Sequence, residues 1–249
     1  MAVIDLHCHI LPGLDDGPRK MGDAVKMARA AVDAGVRTIV ATPHVSETFP
    51  NGAEDIAGAA AALIVELARR DIALNIRTGA EITITQALDL PGDALAALRL
   101  GGGPYLLVEC PLSFQGGRAV ESLLRRVQER GHPLVLAHPE RSPAFLREPE
   151  RLARLVDDGM LTSVTAGAFG GQFGSRIQAF ALELLRSRLV HDVASDAHDT
   201  SRRSPSALAE WHLVSRAIVP DWHAREVPSA ILAGRPLVPT DRQLAPKPR

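Results

Sequence analysis

The stretch VIDLHCHILPGLDDG, residues 3–17, joins a strand pattern to three side chains that commonly bind metals. Its apolar, β-branched start predicts a β-strand. On such a strand His7 and His9 are two positions apart, so both imidazoles point to the same face. Asp16 follows in the glycine-bounded turn PGLDDG. The stretch therefore predicts a chelating face at the end of the first strand.

Similar strand patterns recur along the chain and alternate with helical ones. They cover residues 37–44, 74–82, 105–110, 133–138, 161–166 and 189–196. Helical spacing covers residues 22–35, 54–70, 120–131, 148–159 and 175–188, followed by two further helices at 205–219 and 225–234. Strands that begin roughly 30 residues apart are typical of β/α barrels. We therefore predict an α/β fold, a distorted (β/α)7 barrel of a single domain over residues 1–240, with a flexible Pro-rich tail at 241–249.

The predicted strand ends carry a set of possible metal ligands, and in barrels the active site forms at those ends. A lone histidine there is more often a core or capping residue, but burying so many ionisable groups without a metal is costly. Closure of the barrel would bring the first and last strands together. The nine candidate ligands are His7, His9, Asp16, His44, Glu81, Glu109, His138, Asp196 and His198.

Nitrogen and carboxylate ligands without thiolates favour Mn²⁺, Fe²⁺ or Zn²⁺. Nine ligands exceed the needs of one ion, so we predict more than one, with Glu81 as the best candidate for a bridging carboxylate. The remaining histidines lack partners in register and are assigned structural or surface roles. They are His132, His191, His212 and His223.

Composition excludes several other classes of protein. The formal net charge is −1, and Lys and Arg form no stripe, which argues against nucleic-acid binding. No apolar run approaches the roughly 20 residues that span a bilayer, and the N-terminus lacks a signal pattern, so we expect no membrane insertion and a cytoplasmic location. Two cysteines predict buried, reduced thiols. Neither Cys8 nor Cys110 is followed six residues later by arginine, which excludes a cysteine-phosphatase mechanism.

Several motifs in the chain resemble those of a known superfamily. HCHILPGLDDG, ATPH, GAEI, LVECP, AHPER and SDAH resemble the PHP superfamily, named for polymerase and histidinol phosphatase domains. HCHILPGLDDGPR, together with VTAGAFGGQFG and VPSAILAGRPL, resembles the bacterial metal-dependent tyrosine-protein phosphatases of capsule and exopolysaccharide synthesis. This second resemblance covers essentially the whole chain.

The resemblance implies a distorted seven-stranded barrel, a site for three metals that is usually filled by manganese, and hydrolysis of phosphotyrosine on a bacterial tyrosine autokinase. The family's ligands match the same nine positions. Two phosphate-binding arginines match Arg141 and Arg203, although the adjacent Arg202 leaves a one-residue ambiguity.

A metal-activated water would then attack phosphorus, and Asp199, or water held at His44, is a candidate acid for the leaving phenolate. Two alternatives stay open. One is another PHP phosphoesterase that acts on histidinol phosphate or a nucleotide, and the other is a catalytically silent metal-binding regulator. The sequence predicts no particular oligomeric state.

Overall fold

The computed structural model describes residues 3–113, 116–214 and 222–237, and within them every strand pairing of the central sheets is parallel. The strands are β1 (Val3–Cys8), β2 (Val36–Ala41), β3 (His44–Val45), β4 (Asn75–Thr78), β5 (Glu81–Thr83), β6 (Leu106–Glu109), β7 (Leu134–Ala137), β8 (Leu161–Thr165) and β9 (Asp192–Ala194). The predicted strand positions are confirmed, although the last strand is shorter than its sequence pattern.

The helices lie between the strands, as the alternating pattern predicts. They are α1 (Met21–Asp33), α2 (Ala53–Arg69), α3 (Ile84–Asp89), α4 (Gly92–Ala97), α5 (Gly117–Gln128), α6 (Pro143–Arg147), α7 (Pro149–Asp157), α8 (Ala166–Phe169), α9 (Ser175–Arg186), α10 (Ala207–Val214) and α11 (Val227–Ala233). The short helices α3, α4, α6 and α8 were not predicted. The predicted tail at 241–249, and the part of the predicted helix 205–219 that follows residue 214, lie outside the described residues.

Two of the seven strand positions are each built from two short segments. Two residues separate β2 from β3, and two separate β4 from β5. Hydrogen bonds continue across these gaps, because the Gly79 N–H donates to the Ala41 carbonyl at 2.9 Å and the Glu81 N–H to the Pro43 carbonyl at 3.1 Å. The nine segments therefore occupy seven positions around one sheet.

The sheet closes on itself between the last strand and the first. Cys8 forms a parallel bridge with Ala197 just after β9. The His9 N–H donates to the Ala197 carbonyl at 2.9 Å, and the Asp196 N–H donates to the His7 carbonyl at 2.8 Å. These contacts confirm the predicted distorted seven-stranded barrel and place the two ligand pairs of the sequence side by side.

The interior of the barrel contains an apolar core that is separate from the predicted metal ligands. One buried cluster takes its members from strands, from the turn before β6 and from the C-terminal segment, with none from helices α1–α10, so it fills the inside of the barrel. Its members are Leu6, Val40, Leu100, Leu107, Val135, Ala137, Leu161, Trp222, Val227 and Ile231. A larger cluster packs the helices around the outside of the barrel. Since each buried aliphatic side chain contributes about 1.5–3 kcal/mol, the fold rests on these cores.

Cys8 and Cys110 are free and buried, as predicted. None of the helices in the described ranges is both long enough and apolar enough to cross a bilayer.

Candidate metal centre

The carboxylate of Glu81 lies at the centre of the candidate site, fully buried at the start of β5. Its Oε2 is 3.2 Å from Nε2 of His7, 3.2 Å from Nε2 of His9 and 3.1 Å from Nδ1 of His44. Its Oε1 is 2.6 Å from Nε2 of His138. One carboxylate therefore meets four imidazoles and uses both of its oxygens, as a bridging ligand would.

Asp196 forms the opposite wall of the site. Its Oδ1 lies 3.4 Å from Nε2 of His7 and 3.6 Å from Nε2 of His9. Both Asp196 and His138 have positive φ angles, 50° and 34°, which are uncommon for residues other than glycine. Such backbone conformations concentrate at functional sites, where the surrounding structure holds them in place. The chain thus turns sharply at two strand ends and aims both side chains inward.

The nine predicted residues all come together in this pocket, where they form three overlapping groups. Every group has one ligand atom per residue within 4.8 Å of the others. The groups are His9, Asp16, His44 and His198; His7, Glu81, His138 and Asp196; and His44, Glu81 and Glu109. Asp16 is half exposed, whereas Glu81 and His9 are fully buried, so the pocket opens to solvent on the Asp16 side.

Hydrogen bonds outside the pocket aim ring nitrogens into it. The Nδ1 of His9 is 2.7 Å from Oδ2 of Asp15, and the Nδ1 of His198 is 3.0 Å from the backbone carbonyl of Asp196. Because a carboxylate and a carbonyl only accept hydrogen bonds, they hold a proton on Nδ1 and leave Nε2 as the nitrogen that faces the pocket and is available to a metal. This arrangement is typical of metal-binding histidines.

Sequence reasoning missed Asp15, which stands beside the predicted ligand Asp16. Besides His9, its carboxylate accepts hydrogen bonds from the backbone N–H of His44 at 3.0 Å and of Gly17 at 2.9 Å. The signal was present in the doubled acid of PGLDDG, because two adjacent acids in a turn point in different directions. One of them faces the pocket and the other supports it from behind.

Asn51 and Phe49 also support the site, and the sequence gives no signal for either. The side-chain amide of Asn51 donates to the carbonyls of Leu14 and His44 at 2.9 and 2.8 Å, which ties the loop after β1 to β3. The ring of Phe49 stacks on His44 with 5.8 Å between ring centroids. These contacts fix the position of His44, the most exposed imidazole of the pocket.

Several buried atoms of the pocket have no hydrogen-bond partner among the described residues. They include Oε2 of Glu81, Oδ1 of Asp196 and Nε2 of His198. In addition, Nε2 of His7 and Nε2 of His9 face each other at 3.1 Å. Unpaired buried polar atoms each cost about 1–3 kcal/mol, and more when charged. Divalent cations would pair all of these atoms at once, so the donor set fits such ions.

The charges of the pocket shift its pKa values strongly. Burial acts to raise the pKa of Glu81, but His7 and His138 hold it well below its usual range. Burial and the charge of Glu81 raise the pKa of Glu109 to about 8. Burial acts to lower the pKa of His9, but the nearby carboxylates of Asp15 and Glu81 outweigh burial and raise it to about 10. Cations entering the pocket would displace these protons, so metal binding should release protons.

Two arginines meet at the edge of the pocket on one oxygen. Nη1 of Arg141 is 2.8 Å from Oδ2 of Asp196, and Nη2 of Arg203 is 2.5 Å from the same atom. Arg202 is exposed. The predicted ambiguity between the two neighbours is therefore resolved geometrically, because it is Arg203 that reaches the pocket.

Asp199, the candidate acid of the sequence, accepts hydrogen bonds within the turn that carries Arg203. Its Oδ1 accepts hydrogen bonds from the backbone N–H groups of Ser201 and Arg202, both at 2.6 Å, and of Arg203 at 3.3 Å. Burial acts to raise the pKa of Asp199, but these bonds outweigh it and lower the pKa. Asp199 therefore shapes the turn that carries Arg203, and its role as an acid stays a prediction.

The other histidines with described side chains lie outside the pocket. Nδ1 of His132 accepts a hydrogen bond from Arg99, and Nδ1 of His223 contacts the carbonyl of His191 at 3.1 Å. These contacts agree with structural roles. The side chain of His212 lies outside the described part of the chain.

Fold and site together define a class of protein. A parallel barrel that gathers imidazoles and carboxylates at the carboxyl ends of its strands is the architecture of metal-dependent hydrolases. A sequence model of one family, described as "Capsular polysaccharide synthesis, CpsB/CapC", matches residues 3–225. The chain belongs to the CpsB/CapC family.

Individual relatives agree with this assignment. The chain is 38% identical over 203 residues to tyrosine-protein phosphatase YwqE of Bacillus subtilis, a match that covers 81% of this chain and 80% of the relative. It is 32% identical over 203 residues to the putative tyrosine-protein phosphatase CapC of Staphylococcus aureus, covering 81% and 79%. A solved structure from work on YwqE of Bacillus subtilis and CpsB of Streptococcus pneumoniae, described as unique metal-dependent tyrosine phosphatases, superimposes with a TM-score of 0.85. That match has 33% identity and covers 94% of this chain and 96% of the other.

Proposed function

We propose that this protein is a metal-dependent phosphatase that hydrolyses phosphotyrosine in proteins. The observation that carries the proposal is the convergence of nine possible metal ligands with two arginines at the edge of the same pocket. The names of the relatives, which are tyrosine-protein phosphatases, support the substrate class. The earlier alternative of a silent regulator gains no support, because every expected ligand position is filled.

The nine residues would hold two or three divalent cations, with Mn²⁺ the preferred ion and Fe²⁺ or Zn²⁺ possible substitutes. When bound, such ions supply positive charge for the phosphoryl oxygens and lower the pKa of bound water towards neutrality. Glu81 is the residue best placed to serve two ions, since its two oxygens face different histidines.

Arg141 and Arg203 would bind the phosphoryl group at the edge of the pocket. Each uses one terminal nitrogen on Asp196, so its remaining N–H groups can donate to a phosphate. Nε of Arg203 has no hydrogen-bond partner among the described residues. Guanidinium groups bind phosphate oxygens by charge-assisted hydrogen bonds, which strengthen where charge accumulates in the transition state.

The chemistry of the leaving group favours a tyrosine ester over a serine ester. Tyrosine has a pKa near 10, so its phenolate departs with less help from an acid than an alkoxide does. The pocket opens to solvent beside Asp16, where water can protonate the phenolate after it leaves. This route needs no dedicated acid, in agreement with the turn-forming role of Asp199.

The proposal extends to the physiological substrate and the cellular location of the protein. We propose that the physiological substrate is a bacterial tyrosine autokinase linked to capsule or exopolysaccharide synthesis, and that the protein acts in the cytoplasm. The family description and the relatives' names support the pathway. The near-neutral charge gives no support for a nucleic-acid substrate. We further propose that residues 1–240 suffice for activity and that 241–249 form a dispensable tail.

The test compares phosphate release from a phosphotyrosine peptide, a phosphoserine peptide and histidinol phosphate, with and without added Mn²⁺. The assay is run on wild type and on a surface variant, Asp23→Asn, which changes an exposed carboxylate on α1 that contacts Lys26. We expect Mn²⁺-dependent release with a clear preference for phosphotyrosine in wild type and in Asp23→Asn. A preference for histidinol phosphate would overturn the substrate, and full activity in chelator would overturn the metal dependence.

A further inference from the structure

A glycine-rich loop of residues 166–174 lies between β8 and α9 and includes the one-turn helix α8. It contacts the chain segments that carry both arginines of the pocket. We propose that Phe173 and Gln172 of this loop are positioning residues for the phosphate-binding arginines, Phe173 for Arg141 and Gln172 for Arg203. The inference rests on the proposed function, since it assigns a task to the loop beside that active site. Neither residue is a candidate metal ligand.

Phe173 holds Arg141 by the face of its guanidinium group. The Cζ of Arg141 lies 4.7 Å from the centroid of the Phe173 ring, within the range of a cation–π contact. Nη1 of the same guanidinium reaches Asp196 at 2.8 Å. Arg141 is thus held between an aromatic face and a carboxylate, and this leaves few rotamers for a long side chain that otherwise has many.

Gln172 holds the turn that carries Arg203. Its side-chain amide donates to the carbonyl of Arg202 at 2.7 Å. The Gln172 side chain passes directly over Gly167, where an added Cβ would lie 1.7 Å from the Gln172 Oε1. Only glycine at 167 leaves room for this contact. The carboxylate of Asp199 closes the same turn from inside, so the turn is fixed from both sides.

The loop has its own hydrogen bonds and does not depend on the pocket for its shape. The Gln172 N–H donates to the Gly167 carbonyl at 3.0 Å, and the Gly174 N–H donates to the Gly171 carbonyl at 2.9 Å. The side chain of Gln178 on α9 donates to the Phe169 carbonyl at 2.9 Å. A loop held in this way can fix the positions of the two arginines before substrate arrives. Such preorganisation is the condition for strong electrostatic catalysis.

The kinetic test is a mutant cycle with p-nitrophenyl phosphate as the substrate. Phe173→Leu removes the aromatic face, and Phe173→Tyr keeps it. We expect Phe173→Leu to lower kcat/KM about 2- to 30-fold, the range of a cation–π contact, and Phe173→Tyr to stay within about twofold of wild type. In an Arg141→Ala background Phe173→Leu should cause little further loss, because its effect passes through Arg141.

Gln172→Met keeps the length of the side chain and removes the donor to Arg202. We expect it to lower kcat/KM about 2- to 10-fold, the worth of one hydrogen bond, and to lose this effect in an Arg203→Ala background. Equal losses in the wild-type and arginine-deleted backgrounds would overturn the proposal, because they would show a general structural effect. Wild-type kinetics in both Phe173→Leu and Gln172→Met would overturn it as well.

A spectroscopic measurement on the metal-free protein separates this inference from the proposed function. The guanidinium group of Arg141 lies over the Phe173 ring, so the NMR signals of its N–H protons should carry an upfield ring-current shift. We expect the shift in wild type and Phe173→Tyr and its loss in Phe173→Leu. If wild type hydrolyses no phosphate ester, the proposed function fails while this shift still tests the positioning. Unchanged Arg141 signals in Phe173→Leu would overturn the inference.

Discussion

Replacing Asp15 by Asn should weaken metal binding without touching any predicted ligand. Asp15 uses both oxygens, Oδ2 on the ring of His9 and the backbone of His44, and Oδ1 on the backbone of Gly17. An amide of the same shape has one oxygen, so at least one of these donors loses its acceptor. The contact with Nδ1–H of His9 matters most, because even an amide oxygen placed there is an uncharged and weaker acceptor than the carboxylate and holds the ring less firmly.

The size of the effect follows from the kind of contact that is lost. Mutating the hydrogen-bond partner of a metal-binding histidine typically lowers metal affinity about 10- to 100-fold. This range corresponds to about 1.4–2.7 kcal/mol. We expect Asp15→Asn to need a correspondingly higher concentration of Mn²⁺ for half-maximal activity, while kcat at saturating Mn²⁺ falls much less.

The assay is calorimetric titration of the metal-free protein with MnCl₂, beside an activity titration with the same metal. Asp23→Asn is the matched control, because it removes the same charge from an exposed position on α1. Equal Mn²⁺ affinity in Asp15→Asn and wild type would refute the reasoning that the His9–Asp15 contact prepares the site. A loss of the same size in Asp23→Asn would show that only net charge matters.

Three further predictions concern the pocket and its surroundings. Glu81→Gln should abolish turnover and lower the metal content measured by elemental analysis, while far-UV circular dichroism stays that of the folded protein, because the apolar cores do not include Glu81. Arg141→Lys should lower kcat about a hundredfold in steady-state assays, since lysine cannot reproduce the planar guanidinium donors; an unchanged kcat would remove Arg141 from the phosphate site. Burial raises the pKa of Glu140 from 4.5 to about 7, so the folded state binds its proton more tightly than the unfolded state does. In chelator, the unfolding free energy of wild type should therefore fall as pH rises through this window, and Glu140→Gln should flatten that slope in urea titrations.

The sequence was sufficient for the barrel and for the convergence of the nine candidate ligands, because both rest on short-range patterns. Period-two spacing placed His7 and His9 on one face, and the contact between their Nε2 atoms at 3.1 Å shows that the rings do converge. The closure that unites them with Asp196 follows from the topology of parallel strands alone. Local periodicity and fold topology therefore led to the same pocket.

Other features depend on contacts between distant segments, which periodicity does not encode. Asn51 joins the loop after β1 to β3 through backbone carbonyls, and Phe173 stacks on an arginine that lies 32 positions earlier in the chain. The short helices that the sequence did not predict have six residues or fewer, which is too few to show a helical period. The contacts of Asp199 with three backbone N–H groups of its own turn are of the same kind, because such turn geometry is visible only in three dimensions.

The most direct test of the central claim is reconstitution of the metal-free protein with increasing Mn²⁺, with bound metal counted by elemental analysis and phosphate release followed from a phosphotyrosine peptide. The account predicts that activity is absent in chelator and returns as two or three ions bind per chain, the number that the three overlapping ligand groups can hold. Full phosphotyrosine hydrolysis with no bound metal would contradict the account, as would stoichiometric metal binding that never restores hydrolysis.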